Sequence, residues 1–103
     1  MGAEVFKIEA FGKDAKDAFA QAVRDAQYDR GHGGYTGTIG EKGSFVMIGV
    51  PDGESASRYA DKLIDEDDKR ISDKWGPAGC IDMGKSKYRE GVNRYIFFGW
   101  ASC

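Results

Sequence analysis

At 103 residues the chain has room for one domain, residues 1–103, around one modest core, and 41% hydrophobic with 31% charged residues is the composition of an ordinary globular protein. A formal net charge of −2 argues against non-specific nucleic-acid binding, which clustered Lys and Arg drive by releasing counterions from phosphates. No apolar run approaches the roughly 20 residues of a membrane span.

The start, MGAEVFKIEAFG, alternates polar and apolar residues instead of carrying the basic and apolar blocks of a secretory signal, so a cytoplasmic location is expected. Within it, residues 4–11 put Phe6, Ile8 and Ala10 on one face of a strand and Val5, Lys7, Glu9 and Phe11 on the other, with the first face toward the core. Gly12 breaks the strand, and Asp14 can cap a helix by accepting from its free first-turn N–H groups. Ala15, Ala18, Phe19, Ala22, Val23 and Ala26 then follow helical spacing to about Tyr28 or Asp29, where Gly31 supplies the stop.

Next comes RGHGGYTGTIGEKG, residues 30–43, which holds six of the fifteen glycines and the only histidine, His32. Tyr35 to Ile39 has strand formers, and Gly40-Glu41-Lys42-Gly43 would turn it back as a hairpin on residues 44–50, SFVMIGV, a short strand apolar on both faces and so expected to be central. Pro51-Asp52-Gly53 is turn chemistry, and Asp52 or Ser55 can cap a second helix running to about Arg70. After the Trp75–Gly79 loop, Cys80 to Met83 form a short strand, residues 84–91 a basic loop, and VNRYIFFGWA, residues 92–101, a last strand with large apolar side chains on both faces.

These elements predict an α+β domain: an antiparallel sheet with two helices on one face, in the βαββαβ (split βαβ, ferredoxin-like) order plus an extra C-terminal strand. One layer of helices cannot cover both faces of the last strand. An open face would serve self-association, giving a homo-oligomer, or ligand stacking; alternatively, a strand buried in a small core is simply apolar on both sides.

In that order the first helix ends where the second begins. His32, Gly33, Gly34 and Tyr35 would meet Ser55 and the basic loop of Lys85, Lys87 and Arg89, while the Gly40–Gly43 turn would meet the Trp75–Gly79 loop at the opposite edge. The first grouping has the parts of an anion site: glycines that let backbone N–H groups approach, a helix N-terminus and three basic side chains. Neither standard phosphate fingerprint is complete, because Thr36 stands where GxGxxG needs a glycine. The alternative account of the glycines is a helix stop followed by a bent strand.

His32 lacks a nucleophile placed by any recognisable motif, and Asp65-Glu66-Asp67-Asp68 lacks the loop of a calcium site. No catalytic residue, metal or cofactor is therefore assigned. The first expectation is a small binding module for an anionic, nucleotide-like ligand, without membrane attachment. The second is a protein-interaction or inhibitor module acting on a macromolecular partner. The third is a small enzyme using His32 as acid or base.

Overall fold

The computed structural model describes residues 2–30, 37–87 and 90–102. Strand β1 spans Ala3–Gly12 with Phe6 and Ala10 buried, as its alternation requires, and Gly12 ends it where helix α1 (Ala15–Arg30) comes close. A Cβ on Gly12 would lie 2.4 Å from the Ala18 nitrogen, so only glycine lets the helix start this near the strand. Asp14 caps α1 by accepting from the Asp17 N–H at 2.8 Å, and Asp17 in return accepts from the Lys13 N–H at 3.0 Å.

Of the hairpin strand expected over Tyr35–Ile39, Tyr35 and Thr36 lie outside the described residues, and the rest is not a strand. Thr38 caps a short 3-10 turn, Ile39–Glu41, by accepting from the Gly40 N–H at 3.1 Å. Gly37 meanwhile donates to the Ser102 carbonyl. The chain thus reaches strand β2 (Phe45–Met47) at the end of the sheet where α1 finished.

That placement reverses β2 relative to the expectation. Helix α2 (Ala56–Asp65) follows, then β3 (Ala78–Lys85) and β4 (Asn93–Ser102). The sheet order is β1-β4-β3-β2. β4 is antiparallel to both neighbours, whereas β2 runs parallel to β3, with Phe45 opposite Ala78. The α+β class is therefore that of a four-stranded mixed sheet with two helices, and the expectation of a wholly antiparallel sheet is corrected. A parallel pair needs a crossover between its strands, and α2 is that crossover.

The crossover also moves α2 to the face opposite α1. Tyr95, Phe97 and Ala101 of β4 pack with Phe6, Ala10, Ala18, Ala22 and Cys80 in one core. Ile96 and Phe98 pack with Ala60, Leu63, Ile64, Ile71 and Ile81 in another. Helices on both faces replace the expected single layer, and the two apolar faces of β4 are both buried. On the first face Phe19, Phe45 and Phe97 meet with ring centroids 5.0 to 5.8 Å apart. On the second, Lys7 crosses from β1 to Asp61 of α2 at 2.8 Å.

α2 stops five residues before the expected Arg70. Asp67 takes a left-handed conformation with φ 51°, and the N–H groups of Asp67 and Asp68 bond back to the carbonyls of Ile64 and Leu63, closing the last turn. Asp68 then accepts from the Arg70 backbone and guanidinium, which holds its carboxyl below its ordinary pKa. The acidic run is thus a helix cap and an ion pair.

Lys42 carries the one deeply buried charge among the described residues, with 5% of its surface exposed. Its ammonium donates to the carbonyls of Asp73, Lys74 and Gly76 at 3.3, 3.2 and 2.9 Å. The Gly40–Gly43 turn and the loop that enters β3 are thereby joined, but beside the C-terminal half of α1, where Gln27 donates to the Gly40 carbonyl at 3.3 Å, and not at the opposite edge that the sequence led us to expect. Burial lowers the Lys42 pKa below its usual 10.5, and Asp73 opposes that shift.

Two predictions follow from these contacts. Asp67→Gly relieves the left-handed residue and is expected to stabilise the fold by about 0.5–1 kcal/mol, read from urea unfolding. Lys42→Met leaves three carbonyls short of a donor and is expected to cost about 1–3 kcal/mol. Because the folded Lys42 pKa lies below the unfolded one, the unfolded chain binds more protons between the two values. The wild-type contribution of Lys42 therefore rises with pH toward 10.5, and the deficit of Lys42→Met should be larger at pH 10 than at pH 7.

Candidate functional site

Along the outer edge of β1, against α1, runs a hollow of about 450 Å³. Its floor comes from Phe6, Ile8 and Ala10 of β1, Ala22 and Ala26 of α1, and Ile39 of the 3-10 turn. The space exists because α1 presents small residues there: Ala22 and Ala26 sit one turn apart and leave a depth that larger side chains would fill. One stripe over, Gln21, Asp25 and Asp29 recur every four residues and form the rim, while Glu9 borders the hollow from the strand with its side chain on the other face of the sheet. Among the described residues no lysine or arginine lines the hollow.

Both helix carboxylates on the rim are exposed and have no ion pair among the described residues, whereas Glu9 is bonded to Arg94. The hollow therefore combines an apolar floor with a net negative rim. Residues 8 to 11 all line it, although their side chains alternate between the two faces of the sheet. What consecutive residues of a strand share is the backbone edge, so the hollow includes that edge. β1 is an outer strand bonded only to β4, and among the described residues its other edge has no strand partner.

The residues proposed from sequence lie elsewhere or outside the description. Ser55 is the N-cap of α2, its hydroxyl accepting from the Arg58 N–H at 3.5 Å. Lys85 ends β3 opposite Asn93, and Lys87 follows in the exposed hairpin. Lys85, Ser86, Glu90, Gly91, Val92 and Asn93 surround a second hollow there, also of about 450 Å³. His32, Gly33, Gly34, Tyr35 and Arg89 lie outside the described residues.

Ser55 begins α2, whose Ser57 accepts from the Lys7 ammonium of β1 at 2.9 Å, whereas Lys85 lies at the end of β3 opposite Asn93. Gly37, the first described residue after the glycine segment, is bonded to Ser102, at the far end of β4 from Asn93. Nine strand steps, about 30 Å, separate those ends. The structure therefore puts the Lys85 hairpin at one end of the sheet and Gly37, the described flank of the glycine segment, at the other.

Cys80 and Trp75 have structural surroundings of their own. Cys80 is buried in the α1-side core, and desolvation, with help from Asp82, pushes its thiol pKa up to about 12. Trp75 is 65% exposed, with the Lys74 ammonium 5.5 Å from its ring centre. Among the described residues no group of three His, Cys, Asp or Glu side chains is placed to hold a metal ion, and no helix is long and apolar enough to cross a membrane.

The groove was missed in the sequence for a specific reason. The four-residue spacing of Gln21, Asp25 and Asp29 is visible there, but it reads as the solvated face of a helix. Only the pairing of β1 with the last strand makes β1 an outer strand and gives that spacing a neighbour. No family model, no curated protein and no solved structure matches the chain.

The state of Cys80 is directly checkable. At pH 8 its thiol stays protonated and buried, so iodoacetamide is expected to leave it unmodified in the native protein and to label it fully in 6 M guanidinium. Peptide mass mapping reads the two states, and rapid native labelling of Cys80 would contradict its burial.

Proposed function

We propose that this chain is a binding module that takes a macromolecular partner in the groove between β1 and α1. The observation that carries this reading is the coincidence of three features on one surface: an apolar floor, a carboxylate rim and a ten-residue outer strand. Apolar floors supply binding energy in proportion to the area removed from water, and rim charges select among partners and speed encounter. An open strand edge adds a row of backbone donors and acceptors, which natural proteins usually blunt or cover. Here Lys7 and Glu9 sit on the strand, yet both are engaged across the sheet, with Asp61 and Arg94.

The anionic-ligand reading is kept as the alternative. It draws on the hollow formed by the β3–β4 hairpin, which Lys85 lines and Lys87 follows, and on the start of α2 that Ser55 caps. Glu90 on that hollow weakens the case, since it offsets one of the lysines.

A displayed library of random peptides separates the two. Binders selected on the wild-type protein should be lost, by tenfold or more in affinity, on Asp25→Trp, which overhangs the groove from an exposed helix position. Lys62→Trp, exposed on α2, should leave them unchanged. If no binder responds to Asp25→Trp, and nucleotides or phosphate raise the melting temperature instead, the hairpin reading replaces this one.

A further inference from the structure

We infer that the occupant of the groove is an extended segment of another protein, with Lys or Arg at alternate positions, that adds to the outer edge of β1 as a fifth strand. This rests on the groove being the binding site and goes on to name the partner's conformation and charge.

The conformation follows from the edge. Successive residues of β1 line the hollow regardless of which face their side chains occupy, so the surface on offer is backbone as much as side chain. A strand laid about 4.8 Å from β1 would satisfy that row of N–H and C=O groups. A helix, some 10 Å across with its own backbone satisfied, would use none of them.

The charge follows from the walls. A strand added to β1 would direct every second side chain toward α1, over Ile8 and Ala22 and then past Asp25 and Asp29. That path is apolar for the length of a few methylenes and then acidic. Lys and Arg match it along their whole length, because their stems cover apolar surface while their charged heads reach the carboxylates. A purely apolar side chain would leave the rim unanswered, and an acidic one would be repelled.

The same argument disfavours a second copy of this chain. Pairing β1 with β1 about a twofold axis would set Asp25 and Asp29 beside the same residues of the other copy. Like charges so placed oppose association.

The test uses the intact protein and the capped heptapeptide Lys-Val-Lys-Val-Lys-Val-Lys. We expect saturable binding by calorimetry and slowed hydrogen exchange at β1 amides, with affinity reduced at least tenfold in Asp25→Lys/Asp29→Lys. Those two positions are exposed, so the variant should melt like wild type. Two control peptides separate the contributions. Replacing each Lys by Glu should abolish binding through charge, and N-methylating every backbone amide should abolish it by removing the backbone donors while keeping the charge.

Equal binding of the N-methylated peptide would overturn the added strand, leaving charge alone. Unchanged exchange along β1 would do the same. Slow β1 exchange that depends on protein concentration without peptide would make the occupant a second copy. If library binders depend on the groove but show no alternation of basic residues, the groove survives as the site and this account of its partner does not.

Discussion

From Tyr95 to Phe98 every side chain of β4 is buried, alternately beneath α1 and beneath α2, and this double burial is the constraint on which the rest of the structure depends. A strand with no solvent face must lie inside its sheet and must have a cover on each side. The same demand reaches its neighbours. A Cβ on Gly79 would come within 2.7 Å of the Phe98 ring and 2.9 Å of Ile71, so the ring fits only because the strand beside it carries no side chain at that point. On the α1 face, Cys80 and Ala78 give the Phe97 ring room in the same way.

Covering the second face requires α2 to cross over between β2 and β3, and Lys42 prepares that geometry. Its ammonium gathers three carbonyls of the segment leading into β3 while its own backbone leads into β2. Just beyond it the Ala78 N–H donates to the Ser44 carbonyl. The two parallel strands therefore start side by side. A short, three-residue β2 has few ladder bonds with which to set its own register, so a charged side chain anchored at its entrance matters more than it would for a long strand.

Much of this was legible in the sequence and some was not, for reasons that differ by residue. Period-two alternation placed Phe6 and Ala10 inside, and helical spacing placed Ala18 and Ala22 inside, because both patterns are local. The two apolar faces of the last strand were legible too, but they fit an open face and a doubly covered one equally well. The decisive loss was at Thr38. Thr and Ile favour strands by propensity, yet the Thr38 hydroxyl takes the Gly40 N–H and bends the chain, and one strand fewer reverses everything after it. The carboxylates of the groove were plain as charges, but their use depends on a strand pairing between residues some ninety positions apart, which no local pattern encodes.

That pairing has a consequence for how the chain comes to exist. β1 is made before the other described strands, and its strand partner among the described residues is β4, so Ala3 waits for Ser102. At about 5–20 residues per second, several seconds of synthesis pass with both edges of an apolar strand unoccupied. Lys7 and Glu9, set between Phe6, Ile8 and Ala10, are charges of the kind that keep a nascent strand from pairing with its neighbours on a polysome. The later arrival of β4 closes one of those edges; among the described residues the other keeps the openness that the newborn chain had on both sides.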